Sequence, residues 1–322
     1  MKSMIKKIVV CTTMLSLAGS AAWAQDAAKW PEKPVVLIVP YAPGGGTDIL
    51  ARMIGAKLSE IWKQTVVVEN KAGANGIIGS ADVQRSAPDG YKIMLVVGSH
   101  VINKILTKSV PFDPQTDFTP ITRFAVSPSI LAVKNDGKFK DLPAYIDEGK
   151  KQDVSIGYSE GQTQLTGELI RQATGIKSVP VPYKGGSPLM VDIVGGHVDS
   201  GVTSVLTVLP YVKSGQLKVI AVAADTPLDV FPDAVTFKQT GHPEVESLSW
   251  YGFFGPKNMP DAIVAKINDS LNTATQDPKI AEQLKAQGAT VTLDKPAEFR
   301  VFLENEKKKW QQVADKGGIT AK

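Results

Sequence analysis

Val35-Val36-Leu37-Ile38-Val39-Pro40-Tyr41-Ala42-Pro43-Gly44-Gly45-Gly46-Thr47-Asp48 is the stretch on which the reading of the chain turns. An apolar, β-rich run ends in three glycines, a threonine and an aspartate, and a helical pattern begins at once. Three glycines in a row weaken any regular element, so they belong where backbone turns tightly or approaches something closely. Between a strand and a helix they place free N–H groups at a helix N-terminus, which suits an anion. A tight turn with no ligand explains the stretch alone equally well.

Upstream, Lys2, Lys6 and Lys7 precede an apolar segment from Ile8 to Ala18, and Ala22-Trp23-Ala24 carries small residues at the two positions a signal peptidase reads. That pattern is a secretory signal peptide cleaved after Ala24, too short to span a membrane. Position 20 is Ser, so no lipid anchor is expected. The single cysteine, Cys11, lies inside the signal. The mature chain therefore has no disulfide, thiol nucleophile or Cys-ligated metal. Cleavage removes three lysines and no acid from 36 basic and 32 acidic residues, leaving +1. A near-neutral chain whose one basic run, Lys307-Lys308-Lys309, follows Glu304 and Glu306 on a helical pattern argues against nucleic acid and anionic membranes. A soluble, monomeric protein of the periplasm is expected.

Outward from the opening stretch, strands and helices alternate. Leu50, Met53, Ile54, Leu58, Ile61 and Trp62 form one helix face, capped by Thr47 or Asp48. Strands follow at Thr65–Glu69, Lys92–Val97, Val154–Ile156, Val179–Tyr183 and Leu217–Ala224, and helices at Thr163–Ala173, Pro260–Thr273, Pro278–Gln287 and Pro296–Lys316. Ile121–Val126 and Ile130–Val133, broken by Pro128, read as two short strands carrying the chain from one lobe to another, and Ser249–Gly255 as the return. The fold class is thus α/β, two lobes each built on a mostly parallel sheet flanked by helices. Residues 25–124 and 250–322 form the first lobe and 125–249 the second.

Five strands end in Gly, Ser or Thr just before a helix, at Gly44–Thr47, Gly98–Ser99, Ser159–Thr163, Gly185–Ser187 and Thr203–Ser204. Ligands of open α/β sheets sit beyond the carboxyl ends of the strands. Two such sheets facing each other would surround a small anion with N–H and hydroxyl donors, with Lys184 the only cation in these loops.

These stretches also resemble, in order and spacing, the extracytoplasmic solute-binding receptors of the tripartite tricarboxylate transporter family, often called Bug receptors. The matching residues are Val39 to Asp48 with Ala51-Arg52, Val68 to Gly76, Ala87 to Tyr91, Val181 to Pro188, Gly195 to Asp199, and Trp250 to Pro256. The resemblance implies a Venus-flytrap periplasmic binding protein of type II. It would close over a small organic acid, a mono- or dicarboxylate with aromatic acids included, and deliver it to a permease of one large and one small subunit, with no cofactor. Carried onto this chain, Tyr41, Gly44, Gly45, Gly46, Thr47 and Asp48 would take the carboxylate, with Thr47 a donor and Asp48 holding the loop. Ser99 and His100 match the second loop of the first lobe, and Tyr183, Lys184, Gly185 and Gly186 the wall of the second. The chain departs from the family at Ser159-Glu160-Gly161-Gln162-Thr163-Gln164 and at Thr203-Ser204, so these positions would set ligand identity.

Glu160 reads either as a solvated loop acid or as a cleft-facing acid that accepts from a hydroxyl or amino group of the ligand or repels a second carboxylate. A hydrolase is the competing reading, because Gly157-Tyr158-Ser159-Glu160-Gly161 fits G-x-S-x-G between a strand and a helix, and Asp192 or Asp199 with His242 follow in order. His100, His197 and His242 are too scattered to form a metal set. Gly44–Gly46 is not followed by the remainder of either nucleotide-binding glycine motif.

Overall fold

The computed structural model describes residues 29–286 and 288–321. The signal segment with its cleavage after Ala24, and Gln287 at the expected end of one helix, lie outside the described residues. In chain order the elements are β1 (Val35–Val39), α1 (Gly46–Trp62), β2 (Val66–Asn70), α2 (Ile77–Gln84), β3 (Lys92–Val96) and α3 (Ser99–Leu106). Next come β4 (Phe118–Lys134), α4 (Leu142–Lys151), β5 (Val154–Tyr158), α5 (Gly161–Thr174), β6 (Ser178–Pro182) and α6 (Gly186–Gly195). Then follow β7 (Ser200–Ser204), α7 (Val205–Lys213), β8 (Leu217–Val222), β9 (Val235–Thr236) and β10 (Leu248–Pro256). The chain closes with α8 (Asp261–Gln276), α9 (Pro278–Ala286), β11 (Thr290–Val291) and α10 (Pro296–Lys316).

The first sheet runs β2-β1-β3-β10-β4, with β11 on the far side of β4. β1 pairs in parallel with β2 and β3, while β10 is antiparallel to both β3 and β4. Alternation along β1 sends Val35, Leu37 and Val39 to one face and Ile38 to the other. The first face packs on Leu50, Ile54 and Leu58 of α1 and on Ile263 and Ile267 of α8. The second packs on Ile77, Trp250, Phe299 and Leu303. The second sheet repeats this plan. β5 lies parallel between β6 and β7, β4 is antiparallel to β7 and β8, and β9 is parallel to β8. Leu131 and Val133 face one core of that lobe, Ile130 and Ala132 the other. Each lobe's sheet is mixed: its parallel strands, β2-β1-β3 in the first and β7-β5-β6 in the second, lie to one side, and the strands passing between lobes add the antiparallel pairs.

Those passing strands correct one expectation. Residues 121–126 and 130–133 are not two strands but parts of one 17-residue strand, β4. Its first part pairs with β10 and β11, its last part with β7 and β8. Pro128 survives inside it because it sits where the strand changes partners and one ladder donor is dispensable. The exchange point is lined by buried hydroxyls. Ser129 Oγ lies 3.0 Å from Ser247 Oγ and 3.3 Å from Ser249 Oγ, and Thr166 Oγ1 lies 2.7 Å from Ser247 Oγ. The C-terminal helix reaches both lobes. Trp310, Val313 and Ala314 of α10 join Ile102, Ile105 and Leu106 of α3 and Leu165 and Leu169 of α5 in one buried cluster.

Candidate functional site

The first helix begins two or three residues earlier than the expected capping residues suggest. Gly45 is the cap, in extended conformation, and Gly46 is the first helical residue, so neither Thr47 nor Asp48 caps α1. Asp48, in the first turn, instead ties the loop down: Gly44 N–H donates to its Oδ2 at 2.9 Å and Asn70 Nδ2 to its Oδ1 at 2.9 Å. Arg52 adds an ion pair, with Nε 3.1 Å from Oδ2 and an Nη 3.0 Å from Oδ1. Burial pushes the Asp48 carboxyl up, but the Arg52 bond, the Gly44 N–H and Asn70 outweigh it and hold the group below the ordinary carboxylate range. Its charge is spent on the loop, which leaves the helix N-terminus free to act on an anion.

Five helices start at one place. The cavity between the lobes is lined by Gly45, Gly46, Thr47 and Asp48 of the α1 turn and by Tyr41, Ala42 and Val97 of the first lobe. From the second come Ser159 and Glu160 before α5, Lys184, Gly185 and Gly186 at α6, Thr203, Ser204 and Thr207 at α7, and Tyr251 from β10 closes it. Ser99, the first residue of α3, completes the ring: its hydroxyl is 3.3 Å from Tyr41 Oη and donates to Glu160 Oε2 at 3.2 Å. The enclosed volume is about 40 Å³, room for about three water-sized groups.

The lobes approach within hydrogen-bond distance here. Gly46 N–H donates to Thr207 Oγ1 at 2.9 Å across the cleft. A Cβ at Gly46 would stand 2.6 Å from Ser204 Oγ and 3.0 Å from Tyr251 Oη, so only glycine lets the α1 turn come this close. Gly44 adopts φ +80°, the left-handed region that glycine occupies without strain.

Glu160 is the other acid of the cavity and stands in a different environment. It precedes α5, and Thr163 Oγ1 accepts from both Ser159 N–H and Glu160 N–H. The residue is half-buried and lines the cavity, and the protein around its carboxyl desolvates it. That desolvation outweighs the Ser99 bond and pushes its carboxyl up to about 7. Burial and the nearby Glu160 charge raise the hydroxyls of Tyr41 and Tyr251 as well.

Some residues expected at the ligand have other work. His100 lies 1 % exposed among Phe112, Phe118 and Phe254, with ring centroids 5.7, 4.9 and 5.0 Å away, and burial pushes its pKa down to about 3. It is a neutral core residue away from the cavity lining. The physical reason is that α3 turns only its first residue, Ser99, to the cleft. Gln162 is buried beneath the loop and donates to Leu248 O at 2.6 Å, and Thr163 is occupied as described. Tyr183 Oη donates to Asp192 at 2.8 Å instead of lining the cavity. Thr207 and Tyr251 were missed. Thr207 carried a usable signal, being three residues after the helix-capping Ser204, whose Oγ accepts from its N–H at 3.4 Å.

Among the described residues no hydrolase site forms around Ser159. Asp192 is held by Tyr183, and Asp199 accepts from Ser155 N–H at 2.9 Å and pairs with Lys138 at 2.8 Å. His242 sits in a turn, its N–H on Phe237 O. A larger groove of about 600 Å³ lies beside the lobe crossing, between the loop at 225–230 and the end of α9. Among the described residues no helix N-terminus lines it, so it lacks the donors that define the cavity.

Residues 50–319 match the family described as tripartite tricarboxylate transporter family receptor, TctC. The chain belongs to that family. Protein BugT of Bordetella pertussis is 31 % identical over 326 residues, which cover 99 % of this chain and 100 % of that one. Among solved structures, the periplasmic binding protein BugD is 30 % identical with a TM-score of 0.86, covering 91 % of this chain and 100 % of that chain. An R. palustris protein solved with adipate is 29 % identical with a TM-score of 0.88, over 91 % and 100 % of the two chains. The two-lobed α/β fold is that of the periplasmic binding proteins. As a TctC receptor the chain is a solute-binding protein and not an enzyme, which removes the hydrolase reading. Among the described residues no helix is long and apolar enough to cross a membrane.

Proposed function

We propose that this receptor works in the periplasm, takes a small carboxylate into the cavity between its lobes and hands it to a permease of one large and one small subunit. The observation that carries the reading is the meeting of five helix N-termini at one small cavity, with the charge of Asp48 already neutralised by Arg52. Converging helix N-termini and their dipoles favour an anion there without a dedicated arginine. A carboxylate oxygen would be received by the Gly45–Thr47 turn, and Thr203, Ser204 and Thr207 would face it from the second lobe. The adipate held by the relative is a carboxylate of the expected class.

Closure supplies the mechanism. The ligand would dock on the first lobe, and the second would rotate onto it about the exchange of strands at residues 126–129 and 247–249. Binding energy then appears as a shift toward the closed form. In this reading the lobe boundaries are 25–124 with 250–322, and 125–249, with α10 packed along both. Mass spectrometry of the small molecules released from the denatured, freshly purified protein, followed by calorimetry with the acids found, tests the function. A carboxylate binding one to one is expected; release of an uncharged solute that binds as tightly would overturn the reading.

A further inference from the structure

Glu160 is a feature that carboxylate capture does not call for. Its carboxyl faces the cavity from the second lobe and receives one hydroxyl, that of Ser99, from the first. Behind that bond stands a directional chain: Val97 N–H donates to Tyr41 Oη at 3.4 Å, and Tyr41 Oη lies 3.3 Å from the Ser99 hydroxyl that donates to Glu160. The titratable groups around it are Tyr41 before α1, Tyr251 from β10, Asp48 in α1 and Lys184 before α6. Asp48 is neutralised by Arg52, and Lys184 lies exposed at the rim. Among the described residues no Lys, Arg or His forms an ion pair with Glu160. A desolvated acid with hydroxyl donors but no cation is stabilised most by a partner that brings positive charge or an N–H into the cavity. A second carboxylate would face a like charge at close range.

We propose that Glu160 makes the receptor selective for carboxylates that carry a hydrogen-bond donor at their other end, an ammonium group before all others, over dicarboxylates of the same length. The inference rests on the carboxylate-receptor reading above and specifies which carboxylate. The α1 turn takes the acid end and Glu160 takes the donor end. Ser99 and Tyr41 act as positioning residues, because they hold the Glu160 carboxyl toward the first lobe. Burial that lifts Glu160 to about 7 agrees with this, since a bound ammonium would restore its charge near neutral pH.

Calorimetry at pH 8 with three- to six-carbon monocarboxylates, their α- and ω-amino derivatives and the matching dicarboxylates tests the proposal on the unaltered receptor. An aminocarboxylate binding at least tenfold tighter than the dicarboxylate of equal length is expected, and in Glu160→Gln that ratio should fall to within about threefold. A dicarboxylate binding as well or better in the unaltered protein overturns the proposal while leaving the receptor reading intact. Loss of all ligands by the same factor in Glu160→Gln, with the ratio kept, also overturns it, because Glu160 would then only hold the lobes together. If no carboxylate in the series binds, the receptor reading falls with it. The ranking in the unaltered protein decides even if the variant fails to fold.

Discussion

The turns that open α1 and α5 face the same cavity, each follows a parallel strand, and each carries one acid. Asp48 is enclosed by an arginine, an asparagine and a backbone N–H, and its carboxyl is held low. Glu160 has one serine hydroxyl and is pushed up to about 7. Both sit at a helix N-terminus, so the dipole favours the charged form in both. Counter-charge separates them. In the first lobe an acid serves as internal ballast for the turn we propose binds the anion; in the second an acid stands without a counter-charge, and we propose that the ligand supplies one.

The largest way to break this comparison is to stop the two turns from meeting. Gly46→Ala places a methyl 2.6 Å from Ser204 Oγ. Ligand affinity is expected to fall by about a hundredfold, roughly 3 kcal/mol, with overpacking costing about 1–3 kcal/mol in closed sites. Calorimetry with the co-purified acid reads this, and an unchanged affinity would show that the lobes do not close as tightly as described.

Removing the ballast comes next. Asp48→Ala strips the Arg52 ion pair and leaves Gly44 N–H without its acceptor, at a cost of about 2–3 kcal/mol in urea unfolding, since bonds to charged groups are the stronger ones. The sign with pH follows from the lowered carboxyl. This stabilisation is present above the ordinary value near 3.8 and is lost as pH falls through the folded-state value. The gap between the unaltered protein and Asp48→Ala should therefore close only in acid.

Glu160→Gln should behave in the opposite sense. Below its ordinary value of 4.5 the carboxyl is protonated whether folded or unfolded. Between 4.5 and about 7 only the unfolded chain ionises, so stability drops as pH rises through that window and stays low above it. Glutamine removes the penalty, and a gain of about 1–2 kcal/mol is expected at pH 8 and none at pH 4. His100, lowered to about 3, has the reverse dependence in acid, which cancels in the difference between the two proteins. A pH-independent difference would mean that Glu160 is solvated. The smallest effect belongs to Thr207→Val, which removes the acceptor of Gly46 N–H and should weaken ligand binding about five- to tenfold, near 1 kcal/mol.

Much of this was legible in the chain because it is local. Apolar alternation in Val35–Val39, the glycines that follow and the helical face from Leu50 to Trp62 identify a strand, a turn and a helix without reference to anything distant. Five such turns imply a shared cavity, because strand ends of parallel sheets collect on one side. What escaped depends on contacts between distant segments. Thr207 and Tyr251 line the cavity only because the second lobe and the return strand fold against the first turn. His100 follows Ser99 directly, yet one step along α3 turns its ring away into Phe112, Phe118 and Phe254, which no local pattern discloses. Pro128 reads as a break between strands until β10 is laid beside it. The reach of α10 onto α5 is likewise invisible in its own amphipathic pattern, which registers only that a face is apolar.

A crystal structure of the receptor with its co-purified acid tests the central claim most directly. The carboxylate is expected within hydrogen-bond distance of the N–H groups of Gly45 and Thr47, beside the Gly46–Thr207 bond, with a donor group within 3.2 Å of a Glu160 oxygen. Density for the ligand in the groove beside β4 and α9, or a carboxylate turned toward Glu160, would contradict the account.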